Sequence, residues 1–318
     1  MKIEQRTFGN TGLRVGVLGL GTAEIGFSGT DDTTLDSILG TACEAGVNVL
    51  DSAAMYGDAE EKLGRLLVGR RDKFLIFSKC GRHLPRLTGM QRGLRKIRRS
   101  VGSMLGQPPF EWHPSTLRSN IEESLRRFKT DRIDVIQLHS CSEELLKRGE
   151  IIETLLQAKR AGKVRYVGYS GDGPAALWAV RSGLFQSIQL SVNVADQQAL
   201  DDVIPQALSA GLGIIAKRPV ANAVWRSAEL PADVHLQVYW NRMRALGHPF
   251  AAAPDAIATA LKFTLQTGVH TAIVGTTSLK HMHSNIEAIR DLAAPHQDYE
   301  TIRQRWRHVA EPEWAGQM

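Results

Sequence analysis

Cysteine is scarce in this sequence. Its 318 residues contain three, Cys43, Cys80 and Cys141, and no Cys-x-x-Cys pair. An odd, sparse set, in a chain whose N-terminus MKIEQRTFGN lacks the apolar core of a signal peptide, points to a reduced, cytoplasmic protein. Cys80 follows Lys79 and Cys141 lies two residues beyond His139, but no fourth ligand stands at a suitable spacing. Small buried residues are the expectation there, and no metal is assigned. Long apolar runs are missing too; none approaches the roughly 18 residues that a membrane span requires. The fingerprint Gly-x-Gly-x-x-Gly is also absent. Gly19 and Gly21 fit its first two positions, but Glu24 stands at the third, and the glycines at 168–173 miss the spacing.

Thirty-nine basic residues against 33 acidic leave a net charge of +6, much of it in 82–99, RHLPRLTGMQRGLRKIRR. That run lacks the interleaved aromatics on which single-stranded bases stack. It reads as a solvated loop or helix face, or as an attractor for an anionic cofactor or substrate.

What is present is an alternation that runs almost from end to end. Short apolar strands are expected at VGVLGLG (15–21), VNVLD (47–51), KFLIFSK (73–79), IDVIQLH (133–139), VRYVGYS (164–170), SIQLSV (187–192), LGIIAK (212–217) and TAIVG (271–275). Amphipathic stretches such as TLRSNIEESLRRF (116–128), IIETLLQAKRAG (151–162) and DDVIPQALSAG (201–211) lie between them, with apolar residues at the helical period. Ala-Gly pairs at 45–46, 161–162 and 210–211 are helix stop signals. Eight strand–helix units without the dinucleotide fingerprint favour a (β/α)8 barrel over a doubly wound sheet, as one domain over residues 1–318. RTFGNTGLRV (6–15) reads as an N-terminal β-hairpin closing the barrel bottom, and 296–310 as an extra C-terminal helix. Two connections are long, 80–113 and 218–253; both follow strand ends, where a barrel builds its active site.

The strand ends carry the chemistry. Asp51, Lys79 and His139 each terminate an apolar strand, and Tyr56 follows the first of them. Asp51 by itself reads equally well as the N-cap of the next helix, with Tyr56 packed over the first turn. Several ionisable groups on one rim are expensive to place without a function. Together they suit carbonyl reduction, in which an oxygen gains charge as hydride arrives and must be protonated. Tyrosine, with an ordinary pKa of about 10, needs a neighbouring cation to act as the acid. Lys79 would supply it, Asp51 would orient Lys79, and His139 would hydrogen-bond the substrate oxygen.

These stretches resemble the aldo-keto reductase family. NVLDSAAMYGDAEEKLGRLL is similar to its second-strand signature, FLIFSKC to its lysine strand, and SLRRFKTDRIDVIQLHS to its histidine strand. The resemblance runs from about residue 5 to 290 and keeps the family's motif order. It implies a barrel, a nicotinamide cofactor, and Asp51, Tyr56, Lys79 and His139 as the catalytic tetrad. Cofactor contacts are implied at Gly21 and Thr22, at Ser170 and Gln189 around the carboxamide, at Lys217 where a tyrosine commonly stacks, and at Arg218, Pro219, Val220 and Asn222 along the pyrophosphate. Gly275, Thr276, Thr277, Ser278, His281 and Asn285 fall in the adenosine segment. Gly171 stands where asparagine is usual, and Gly275 and His281 where NADP-selective relatives put Lys or Arg. NADPH is the expected cofactor, with NADH as the alternative. The expected partner is a small-molecule aldehyde, ketone or sugar carbonyl, with no nucleic acid and no membrane. A nucleotide-sensing regulatory or binding protein on the same barrel is the second reading, and a nucleic-acid-associated protein using 82–99 the third.

Overall fold

The computed structural model describes residues 2–81, 112–290, 292 and 298–316; the basic run 82–99 lies outside the described residues. Strands β1 (Gln5–Thr7) and β2 (Arg14–Gly16) form an antiparallel hairpin. Eight further strands follow: β3 (Leu18–Gly21), β4 (Val49–Asp51), β5 (Leu75–Cys80), β6 (Ile133–His139), β7 (Val164–Ser170), β8 (Ser187–Ser191), β9 (Gly213–Lys217) and β10 (Thr271–Gly275). All pair in parallel, and β10 closes on β3, making a barrel with strand order β10-β3-β4-β5-β6-β7-β8-β9. Parallel strands need crossovers, and the helices Asp32–Ala45, Ala59–Leu66, Pro114–Phe128, Glu150–Arg160, Gly173–Arg181, Val203–Ser209 and Ala256–Leu265 provide them, while Leu279–Ala288 follows the last strand. Gly46, Gly162 and Gly211, just past three of these helices, adopt φ of 82°, 75° and 71°, the left-handed turn that lets a helix stop.

Two expectations change. The stretch 15–21 is two strands, broken at Val17, whose N–H donates to Glu4 and whose carbonyl accepts from Ala272. The chain turns there from the hairpin into the barrel wall. The connection 218–253 is no plain loop, for it contains a turn at Ala221–Arg226 and a helix at Val234–Leu246. That helix buries Tyr239, Arg242, Met243 and Leu246, so a buried arginine interrupts the apolar stripe that would have announced it. The C-terminal helix is present at Tyr299–Val309.

The hairpin plugs the barrel floor. Phe8 is fully buried, its ring 5.3 Å from that of Phe77, and a Cβ on Gly213 would fall 2.4 Å from the Phe8 ring. Phe8, Leu13, Val15, Val49, Phe77, Val135, Ile215 and Ile273 form one apolar cluster there. A larger cluster lies between the barrel wall and the helices.

Candidate active site

Strand side chains alternate with a period of two. Two residues beyond Val49, Phe77 and Ile215 of the apolar floor come Asp51, Lys79 and Lys217. Four beyond Val135 comes His139. The same strands that fill the barrel with hydrocarbon therefore end in a polar layer at their C-terminal rim.

The centre of that layer is a buried ion pair. Lys79 Nζ lies 2.6 Å from Asp51 Oδ2 and donates also to the carbonyl of Ser52 at 3.0 Å. The other Asp51 oxygen accepts from Gln189 Nε2 at 3.1 Å, and Ser170 Oγ donates to Gln189 Oε1 at 2.8 Å. Burial opposes the charge on Lys79, but the Asp51 carboxylate and the Tyr56 hydroxyl outweigh it, leaving the ammonium above its ordinary value. Lys79 Nζ stands 5.4 Å from the centre of the Tyr56 ring, which meets His139 edge-on at 6.2 Å. Asp51, Tyr56, Lys79 and His139 are thus one cluster, drawn from β4, β5, β6 and the loop after β4.

Close backbone contacts hold that loop. A Cβ on Gly26 would fall 1.8 Å from the Tyr56 carbonyl, and one on Gly57, whose φ is 55°, would fall 2.1 Å from the Gly26 carbonyl. Only paired glycines permit this approach. Lys62 Nζ pins the contact through the Ile25 carbonyl at 3.1 Å and Asp58 at 3.2 Å. Tyr56 itself remains half-buried.

The residues implied for cofactor contact are more scattered in character. Ser170 and Gln189 are buried beside Asp51. Gly171 has a physical reason to lack a side chain, since a Cβ would fall 2.4 Å from the Tyr169 hydroxyl, which donates to the Cys141 carbonyl. Lys217 is not an open cation: its Nζ pairs with Asp172 Oδ2 at 2.8 Å, and Asp172 also accepts from the Ser191 N–H at 2.6 Å. Burial pulls Lys217 below the usual lysine value, with Asp172 acting against that pull. Arg218 and Asn222 both take φ of 54°, and Arg218 reaches Ser191 Oγ at 3.4 Å. Pro219 accepts from Thr264 Oγ1 at 2.9 Å, and Val220 is half-buried. Gly21 pairs with Gly275 across β3 and β10, and buried Thr22 donates to the Asp51 carbonyl at 3.1 Å.

Thr276 and Ser278 serve first as the cap of the helix Leu279–Ala288: Thr276 Oγ1 accepts from the Ser278 N–H, and Ser278 Oγ from that of His281. Asn285 is buried on that helix, Thr277 is half-buried and His281 is exposed. Hydroxyls grouped at a helix N-terminus suit a phosphate, and the Ser170–Gln189 amide edge suits a carboxamide, so the donor set fits a nicotinamide dinucleotide. Glu24 adds a constraint that sequence reasoning missed. Its carboxyl carbon lies 3.5 Å from where a Cβ would stand on Gly275. Asp172 and Glu60, both buried, were also missed. Among the described residues no helix is long and apolar enough to cross a membrane, and no group of three His, Cys, Asp or Glu could hold a metal ion. Cys80 and Cys141 are buried free thiols, and burial pushes Cys141 up to about 12.

Comparison with known proteins finds relatives over most of the chain. The sequence pattern of the Aldo/keto reductase family matches residues 17–307. L-galactose dehydrogenase of Arabidopsis thaliana is 26% identical over 322 residues, covering 95% of this chain and 92% of its own length. D-threo-aldose 1-dehydrogenase of a Pseudomonas species is 25% identical over 306 residues, covering 87% of this chain and 90% of its own length. Among solved structures, an aldo-keto reductase from Pseudomonas aeruginosa is 27% identical with a TM-score of 0.71, covering 91% of this chain and 95% of its own. An aldo-keto reductase from Bacillus halodurans, in its holo form, shares the fold at a TM-score of 0.77 and 23% identity, covering 97% of both chains.

Proposed function

This chain belongs to the aldo/keto reductase family, and from that premise we propose that it is a nicotinamide-dependent oxidoreductase interconverting a sugar-like carbonyl or hemiacetal with its reduced or oxidised partner, with Tyr56 as the proton donor. The observation that carries the reading is the buried Lys79–Asp51 pair set against Tyr56 and His139 at one barrel rim. A reduced nicotinamide, when bound, supplies the hydride. The protein's residues handle the proton and the charge. His139 hydrogen-bonds the carbonyl oxygen and holds it beside the Tyr56 hydroxyl. Tyr56 releases its proton to that oxygen as charge develops there, and the Lys79 ammonium stabilises the phenolate left behind. Asp51 anchors Lys79 through one oxygen while Gln189 occupies the other, so the ammonium is fixed before the reaction begins. In the oxidative direction the phenolate takes the proton back.

Ser170 and Gln189 would hold the carboxamide, and Thr277 with the N-terminal amides of the helix Leu279–Ala288 would take the phosphates. The NADPH preference expected from sequence is opposed by Glu24, a like charge beside Gly275. Both cofactors therefore bind, with a narrow margin between them. The sugar-like substrate class follows two relatives named as sugar dehydrogenases.

The test is reduced-cofactor oxidation with a panel of aldehydes, ketones and aldoses, and cofactor reduction with aldoses in the reverse direction. Turnover with either cofactor is expected. Tight cofactor binding without turnover in either direction would leave the sensing reading in its place.

A further inference from the structure

Glu60 is 2% exposed, and an acid so placed costs stability unless its surroundings use it. Its partners lie on two different elements, β5 and the helix Pro114–Phe128. Oε1 accepts from Ser78 Oγ at 2.8 Å and from Ser124 Oγ at 2.9 Å. Oε2 accepts from Ser124 Oγ at 3.1 Å and from Arg127 Nη1 at 3.3 Å. The same Arg127 Nη1 donates to the carbonyl of Ala54 at 3.1 Å. Ser78 precedes Lys79 on β5, and Ala54 is two residues before Tyr56. The Ala54 N–H in turn donates to the Lys79 carbonyl at 3.2 Å, so Ala54 is held from both ends. The helices carrying these groups cannot drift apart or together. A Cβ on Gly64 would fall 1.9 Å from the Arg127 carbonyl, which fixes the crossing at backbone contact. Burial pushes the Glu60 carboxyl above the usual carboxylate range, against two serines and one arginine that favour its charge.

We propose that Glu60 is a positioning residue, registering the loop that carries Tyr56 against the strand that carries Lys79 through Ser78 on one side and Arg127 on the other. The proposal rests on the reading of Tyr56 as proton donor. Glu60 touches no substrate; it acts through the placement of Tyr56, which does, and of Lys79, which supports Tyr56. A displacement on the order of 1 Å between such groups is enough to cost about 10²-fold in rate. Structural filling alone would be served as well by an apolar residue.

Glu60→Gln keeps the shape and removes the charge that holds Arg127. Hydrogen exchange of the amides at 52–57 is compared between wild type and variant, together with kcat and KM. Faster exchange confined to 52–57, with kcat lowered about 10- to 10²-fold and KM little changed, is the expected result. Arg127→Lys, which keeps a donor beside the carboxylate, should lose less than Arg127→Met. Unchanged exchange at 52–57, or faster exchange spread over the whole barrel with kcat per folded molecule intact, overturns the proposal. The exchange measurement needs no substrate. If wild type turned over no carbonyl, the reading of Tyr56 would fall on that result, and the registering role would still be judged on exchange alone.

Discussion

Phe77 and Lys79 are two residues apart on one strand, and they belong to two different proteins in energetic terms. Phe77 is fully buried against Phe8 in a floor of hydrocarbon. Lys79 is almost as buried, 3% exposed, but its neighbours are a carboxylate and a phenol. The floor follows the ordinary rule that apolar area removed from water stabilises. The rim breaks it, because desolvating two charges costs more than most ion pairs return. The lesson is that one pleated strand can serve stability at its base and chemistry at its end. The period of two keeps both on the same inner face.

The comparison is tested most severely at Lys79. Lys79→Met is expected to abolish turnover and, by leaving Asp51 buried without its cation, to destabilise by about 3–5 kcal/mol in denaturant unfolding. Adding Asp51→Leu should restore much of that stability and none of the activity. Failure of the double variant to recover stability would mean that the rim, like the floor, is there to hold the fold. The pair has a pH signature as well. The folded-state value of Lys79 is raised, so its stabilising contribution is complete below the ordinary lysine value of 10.5 and is lost only as pH climbs through the higher folded value. Lys79→Met should lack that alkaline decline.

The floor should respond in the opposite manner. Phe77→Ala is expected to cost about 3–5 kcal/mol, with no substitution of a single neighbour restoring it. The fraction that stays folded should retain its rate per molecule. A folded Phe77→Ala protein with a lost kcat would show that the two layers are not separable.

The smallest effect concerns the cofactor. Glu24→Gln removes a like charge near Gly275, so NADPH should tighten roughly two- to fivefold while NADH stays unchanged. Fluorescence titration of both cofactors reads this directly. Equal changes for both would move Glu24 away from any 2′-phosphate.

Much of this was legible in the chain itself. Apolar runs that end in Asp51, Lys79 and His139 predicted both the strands and the rim, because an ionisable residue closing such a run is costly anywhere else. The spans 133–139, 164–170 and 271–275 match their strands residue for residue. What stayed hidden depends on contacts between distant segments. Asp172 and Lys217 meet only because β7 and β9 flank β8 in the closed barrel. Glu60 sits in the first turn of its helix, where acids are commonplace at the surface. Its burial follows from a helix crossing that Gly64 permits and that no local pattern announces. The helix Val234–Leu246 was obscured by its inward arginine.

Tyr56→Phe tests the central claim most directly, because it removes one hydroxyl from a half-buried ring and almost no volume. Thermal unfolding and cofactor affinity are measured beside carbonyl reduction in both proteins. Unchanged unfolding and affinity, with reduction lowered by about 10²-fold or more, is the predicted result. A variant that reduces the same carbonyl at the wild-type rate would contradict the account, and the rim would need another acid.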